Sequence, residues 1–268
     1  MSDSRRVGIN CLEALDTAGT TAAIANAMME HRPCSMACLS DGEGALLWAG
    51  AGFQTWHYLA HHGIAAGEQR LTAEQMVSAI GRLNLVGMPR SGHLAKRPDF
   101  RPKLEAGFDL WGIDFDLSAR EVDSMACFYM IFDFWLWGLI QGRNVVIVNN
   151  DANGLKAALE ADGLPKQLAP HVPPRTCGWA PAAILPITLG PGLAGSQQAL
   201  DDLASSGFKP DIALLGAGSR VVHLCVEIAE RYTIPALDLG CVCSELHDYE
   251  CKQPGGWDTM LKYYQEEG

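Results

Sequence analysis

Hydrophobic and polar positions along the chain follow two alternating periods. Short, predominantly apolar runs recur at 36–39, 83–88, 144–148, 183–187, 212–215 and 235–239. Runs of this kind, rich in Val, Ile and Leu, predict strands buried on both faces, as in a parallel sheet. Between them the apolar positions take helical spacing. Ala22, Ile24, Ala25, Met28 and Met29 predict a helix within 12–30, stopped by His31-Arg32-Pro33 because Pro cannot continue it. A second helix is predicted over 45–62, with a break at Gly50-Ala51-Gly52. Ala73, Met76, Val77 and Ile80 form the apolar face of a helix over 71–82, with Thr72 and Gln75 as a capping box. Residues 120–140 predict a buried helix, and 155–161 a short one. Over 196–206 a helix is predicted with Ser196 as N-cap and Gly207 as its stop. Val221, Val222, Leu224, Cys225, Ile228 and Ala229 line one face of the last helix. The flanking runs at 212–215 and 235–239 make this a right-handed βαβ unit. Residues 90–118 read as a long loop with short elements, a place where function often sits. Residues 163–192 hold half of the chain's 14 prolines and read as a connecting region with one strand. The pattern predicts an α/β fold, a mostly parallel sheet with helices on both faces, in one domain over 1–268.

Composition narrows the function classes. At 268 residues and 48% hydrophobic, the chain can bury a sizeable core. A formal net charge of −11 argues against a nucleic-acid partner, which needs a basic surface. An anionic ligand stays open, since a divalent cation can bridge carboxylates to phosphates. The nine cysteines are odd in number, several lie in apolar runs (Cys127, Cys225), and the polar start Met-Ser-Asp-Ser-Arg-Arg is not followed by an apolar run. These features predict a reducing, cytoplasmic setting. The most apolar stretch, 125–140, carries Asp133 and is shorter than the roughly 18–20 residues that cross a bilayer. No transmembrane segment is predicted; the aromatic centre at 132–137 leaves a peripheral membrane contact open.

Candidate chemistry gathers at three places. Asp41-Gly42-Glu43 follows the first predicted strand. Two carboxylates so placed can hold a divalent cation that clamps a diphosphate. The same residues also read structurally, as Ser40-x-x-Glu43 is a capping box and Asp-Gly a common turn pair. Gly216-Ala217-Gly218-Ser219 follows a strand and opens a helix, where backbone N–H groups can meet phosphate. Asp238 lies about twenty residues on, where a ribose-binding acid would be, while Val221 stands where a third Gly or Ala is expected. A plain turn, a phosphate or sugar contact, and a NAD site all stay open. Cys241, Cys243, His247 and Cys251 are close in sequence, but their spacing departs from the usual zinc pattern, so packing competes with metal binding. Glu245 and His247 are acid/base candidates. His57, His61 and His62 fall on an amphipathic stretch and are expected to be solvated. Neither a G-x-S-x-G elbow nor a P-loop is present.

The order of these motifs resembles the GT-D-type glycosyltransferases, a family with a Rossmann-like fold and a DxE motif. Residues 37–43, Ala-Cys-Leu-Ser-Asp-Gly-Glu, are similar to the family's Arg-Phe-Gly-Asp-Gly-Glu turn. Leu85-Val-Gly-Met-Pro89 is similar to its short strand ending in Pro, and 144–148 to its central strand. Residues 212–240, with Leu-Leu-Gly-Ala-Gly-Ser and Ala-Leu-Asp-Leu-Gly, are similar to its closing βαβ unit. The resemblance implies transfer of a sugar from a nucleotide sugar, in family terms a UDP-sugar, with Mn2+ or Mg2+. It implies Asp41 and Glu43 as metal and catalytic residues with Gly42 between them. It implies Gly216, Gly218, Ser219 and Asp238 at the nucleotide, and Glu245 and His247 as further catalytic residues. Its partners would be the donor and a sugar, glycan or glycosylated acceptor, with homo-oligomerisation left open. Two positions depart from the family pattern: Cys38 replaces an Arg and Cys241 a His. The competing readings are a NAD- or S-adenosylmethionine-binding Rossmann enzyme using 216–220 and Asp238, and a non-catalytic relative.

Overall fold

The computed structural model describes residues 17–53, 59, 63–89, 98–113, 121–124, 126, 130, 135–160 and 180–240. Among the described residues seven strands form one sheet: β1 (Cys34–Cys38), β2 (Leu85–Met88), β3 (Glu121–Asp123), β4 (Asn144–Asn149), β5 (Ala183–Thr188), β6 (Ile212–Gly216) and β7 (Pro235–Asp238). Their spatial order is β3-β2-β1-β7-β6-β4-β5. All neighbouring pairs are parallel, so the expected mostly parallel sheet is parallel throughout. The described helices are α1 (Thr17–Met29), α2 (Asp41–Gly50), α3 (Gln69–Ile80), α4 (Phe100–Leu110), α5 (Trp135–Ile140), α6 (Ala152–Glu160), α7 (Gly192–Ser205) and α8 (Val221–Tyr232).

Successive strand side chains feed two apolar layers, as a period of two requires. Val146, Val148, Leu215 and Ala236 join Leu47, Met76, Phe108, Leu200 and Val222 in one layer, built on α2, α3, α4, α7 and α8. Val145, Ile147, Leu214 and Leu237 join Ile24, Leu139 and Leu155 in the other, built on α1, α5 and α6. Burial on both faces explains why these strands read as continuous apolar runs.

The division of helices follows from crossover hand. The steps β1→β2→β3 and β5→β6→β7 run one way across the sheet, and their connecting helices lie in the first layer. The steps β3→β4 and β4→β5 run back, and α5 and α6 lie in the second. A single crossover hand demands this reversal of face. The chain therefore leaves β4 towards one face and its neighbour β6 towards the other.

Several local expectations change. Residues 121–123 are a strand, not the start of a helix, because they extend the sheet beside Val86–Met88. The stretch 90–118 contains the regular helix α4. Helix α2 begins at Asp41, not 45. Thr72 is no N-cap: α3 starts at Gln69 after a 3-10 turn, and the Thr72 hydroxyl donates to the Glu68 carbonyl at 2.8 Å. Ser196 is likewise interior, with α7 starting at Gly192. Gly207 has φ +68° after the C-cap Ser206, in line with its reading as a stop. Most of 54–62 and 161–179 lies outside the described residues.

Candidate functional site

The site is built from the end of β1. Leu39 N–H donates to the Gly87 carbonyl of β2 at 2.7 Å, and the chain then turns at Ser40 into α2. Glu43 folds back over this turn. Its Oε2 accepts from the Ser40 N–H at 2.9 Å and from the Ser40 hydroxyl at 3.0 Å, the Glu43 arm of a capping box. Glu43 is buried, with 4% of its surface exposed. Asp41 is half-buried, and its Oδ1 accepts the Gly42 N–H at 3.1 Å. Both acids lie in the first helical turn, where the helix dipole favours negative charge. The capping-box reading of Ser40-x-x-Glu43 thus holds in the structure, and Glu43 lies near enough to the end of the neighbouring strand for its charge to act on Asp238.

Asp238 meets it from the adjacent strand. At the end of β7 its Oδ2 accepts from Cys38 N–H at 3.0 Å and its Oδ1 from Gly240 N–H at 2.7 Å. Burial pushes the Asp238 carboxyl up to about 7; the nearby Glu43 charge adds to this, and the two N–H donors oppose it. Glu43 and Asp238 therefore face each other at the carboxyl ends of β1 and β7, neighbouring strands roughly 4.8 Å apart, with Asp41 in the same helical turn as Glu43.

One strand further, β6 ends at Gly216 and passes through a 3-10 turn, Gly218–Arg220, into α8. Gly218 has φ +53°, a conformation that suits glycine. The turn packs against α2. Ser219 is 1% exposed, and its hydroxyl has no hydrogen-bond partner among the described residues. The turn opens a helix, where backbone N–H groups can meet a ligand.

Two residues not singled out from sequence hold the turn. Asn149, buried at the end of β4, donates from Nδ2 to the Gly216 carbonyl at 2.8 Å and accepts the Asp151 N–H at 2.8 Å. Arg220, also buried, donates from one guanidinium nitrogen to the carbonyls of Gly190 and Gly192 at 2.7 and 2.8 Å. Burial lowers its pKa, and Glu68 opposes that shift. The only sequence signal for either was position: each lies at the end of an apolar run or next to a glycine turn.

Asp41, Gly42, Glu43, Asp238, Gly216, Gly218 and Ser219 thus share one edge of the sheet, on the consecutive strands β1, β7 and β6. Glu245 and His247 lie outside the described residues, as do Cys241, Cys243, Cys251 and the histidines 57, 61 and 62. Cys38 is half-buried beside Gly87, where an added Cβ would come within 2.8 Å of its sulfur. Among the described residues no group of three or more His, Cys, Asp or Glu is placed to hold a metal ion. Asp41 and Glu43 still offer a fitting donor set for a Mg2+-type ion, which commonly takes one or two carboxylates and completes its shell with substrate phosphate and water. Among the described residues no helix is long and apolar enough to cross a membrane.

Comparison with known proteins places this geometry. No curated protein matches the chain. Two solved structures do. One is of the highly conserved domain of unknown function 1792, described as having a distinct glycosyltransferase fold; it shares 15% identity and a TM-score of 0.54, over 92% of this chain and 86% of that one. The other is a selenomethionine-substituted structure of domain of unknown function 1792, at 14% identity and a TM-score of 0.54, over 91% and 86%. At these identities the likeness is one of fold. Residues 15–246 match the GT-D fold-like domain, a span that contains every strand, the acidic turn and the 216–220 turn, and on that match the chain belongs to the GT-D fold-like domain family.

Proposed function

We propose that the protein is a metal-dependent glycosyltransferase that moves a sugar from a nucleotide-sugar donor, a UDP-sugar, to a hydroxyl-bearing acceptor. The observation that carries this reading is the approach of Glu43 to Asp238 at the carboxyl ends of β1 and β7, with Asp41 in the same helical turn, one strand away from the N–H-bearing turn at 216–219. In open α/β sheets ligands sit at such carboxyl ends.

Held by Asp41, Glu43 and the donor diphosphate, a Mn2+ or Mg2+ ion would supply Lewis-acid stabilisation of the leaving group. The chain's own part is positional and electrostatic. The Ser40 bonds hold Glu43 in one rotamer, so its carboxylate needs no reorganisation when a ligand arrives. Asp238 fixes the backbone at Cys38 and Gly240, at the ends of β1 and β7. Backbone N–H groups at Gly216, Gly218 and Ser219 meet the phosphate oxygens. In the transfer, the acceptor oxygen bonds to the anomeric carbon while the bond from that carbon to the diphosphate oxygen breaks. Its electron pair leaves with the diphosphate, and the acceptor proton passes to Glu245 or His247 as base.

A thermal-shift screen of UDP-sugars with and without Mn2+ tests the reading. Stabilisation is expected only when nucleotide and metal are present together, about 2.7 kcal/mol at a hundredfold excess over Kd. Asp41→Ala should abolish it while leaving the metal-free midpoint in place. Stabilisation by NAD or S-adenosylmethionine without metal, or no response to any nucleotide, would overturn it.

A further inference from the structure

The loop after β5, the strand at one edge of the sheet, carries a pattern that the acidic site does not use. Gly190-Pro191-Gly192-Leu193-Ala194-Gly195 opens α7 with the spacing G-x-G-x-x-G. In that spacing the first glycine makes a tight turn, the second lets an anion approach the backbone, and the third lets the helix pack closely. Gly192 takes φ +64°. A Cβ on Gly195 would lie 2.2 Å from the Gly190 carbonyl oxygen, so only glycine fits there. A Cβ on Gly192 would lie 2.5 and 2.8 Å from the two carboxylate oxygens of Glu68. The anion that this loop admits is thus one of the chain's own side chains. What a dinucleotide would need beyond the loop is an acid at the end of the next strand, and β6 reads Ile-Ala-Leu-Leu-Gly over 212–216. The loop suits a phosphate group, not a dinucleotide.

Glu68 holds its place loosely. It is half-buried and follows the exposed Gly67. Its bond from the Leu193 N–H is 3.4 Å long, beyond the usual range for N–H to oxygen. Against the same loop lies Arg220, 7% exposed, with one guanidinium nitrogen on the carbonyls of Gly190 and Gly192. Its Nε has no partner among the described residues, an unmet donor on a buried cation. Glu68 is the acid whose charge acts on it. The N-terminus of a 14-residue helix and a buried guanidinium together favour more negative charge than one carboxylate brings. A phosphate monoester carries a charge of about −1.5 to −2 and three acceptor oxygens.

We propose that the loop 190–195 is a binding site for a phosphate group, which Glu68 fills as a tethered stand-in until phosphate displaces it. Displacement frees the Glu68 end of the 63–68 segment from α7, while the Gly192 N–H keeps its 3.0 Å bond to the Gly63 carbonyl. The site needs no metal, and β5 lies four strands from β1 in the sheet, so it goes beyond the donor reading.

The test uses inorganic phosphate in metal-free buffer, with sodium chloride of equal ionic strength as the control. Glu68→Ala empties the place. Its affinity for phosphate should exceed that of the wild type about tenfold, the factor expected if Glu68 is seated about nine-tenths of the time. Its thermal midpoint should rise by roughly 3–5 °C at a tenfold excess over Kd. Glu68→Gln removes the charge and keeps the size, and should gain affinity in the same direction; it keeps the test open if the alanine variant unfolds. In amide NMR spectra of either variant, phosphate should move the Leu193 and Ala194 signals. Equal phosphate affinity in the wild type and both variants would overturn the proposal, as would shifts confined to 216–219. No response in either variant would show that Glu68 is a structural cap alone. None of these results bears on the donor reading, which is tested with nucleotide and metal together.

Discussion

Single residues at this edge are held by contacts with little slack. Gly87 is one. A Cβ there would lie 2.8 Å from the Cys38 sulfur and 3.0 Å from the Cys38 Cα. The second of these is backbone, so a rotamer change cannot relieve the clash. Gly87→Ala should cost about 1–3 kcal/mol in urea unfolding, and because Cys38 N–H anchors Asp238 it should also weaken UDP binding. A variant that keeps full stability and affinity would show that β1 can yield. The same residue scale shows what sequence can carry. Asp41, Glu43 and Asp238 were readable because each is an acid at the end of an apolar run. Asn149 and Arg220 were not, because what they hold, the carbonyls of Gly216, Gly190 and Gly192, lies 67, 30 and 28 residues away. The Ser219 hydroxyl looked available in sequence; its complete burial comes from tertiary packing.

Among the elements, α8 ends in an unusual way. Thr233 takes φ +57° and ψ +48°, the left-handed conformation, and the Ile234 N–H returns to the Ala229 carbonyl at 3.2 Å. A β-branched residue there carries strain of about 1–2 kcal/mol, and the exposed Thr233 side chain has little packing to offset it. Thr233→Gly should therefore raise the unfolding free energy by about 1 kcal/mol, read as a shift of the urea midpoint at unchanged slope; a drop would mean that the hydroxyl holds something. Strand positions were well signalled because burial on both faces leaves an unbroken apolar run. Helix starts were not. Thr72 and Ser196 looked like caps, yet α3 is entered through a 3-10 turn and α7 through Gly192, whose φ of +64° fits it beside the Glu68 carboxylate. Helix α4 was missed because only Leu104, Gly107 and Phe108 are buried, too few apolar positions to stand out among Arg, Pro and Lys.

At the scale of the whole molecule, Asp238 links the site to stability. Its carboxyl has a folded pKa of about 7 against an ordinary 3.8, so the native state holds this proton more tightly than the unfolded chain. The contribution is fully present below pH 3.8 and is lost as pH rises through 7, at up to about 1.4 kcal/mol per pH unit. In metal-free buffer, the wild-type unfolding free energy should carry this downward component between about pH 4 and 7, and Asp238→Asn should lack it. The readout is the difference in slope, since the asparagine amide faces two N–H donors and its poorer pairing costs about 1–3 kcal/mol at every pH. Identical slopes in the two proteins would show that Asp238 ionises freely in the fold.

The bond from Cys38 N–H to Asp238 joins residues 200 positions apart, and β7 is the strand that separates β1 from β6. Until β7 is in place, β1 and β6 each present an unpaired edge, and the three carboxyl groups have no common location. Contacts of such long sequence separation form slowly, because loop closure precedes any gain. On the ribosome, the acidic turn is made about 200 residues before its partner on β7. The proposed activity is therefore coupled to the arrival of β7: a product cut short before residue 235 would display the Asp-Gly-Glu triplet without the third acid, and would have an open sheet exposed to aggregation in place of a site.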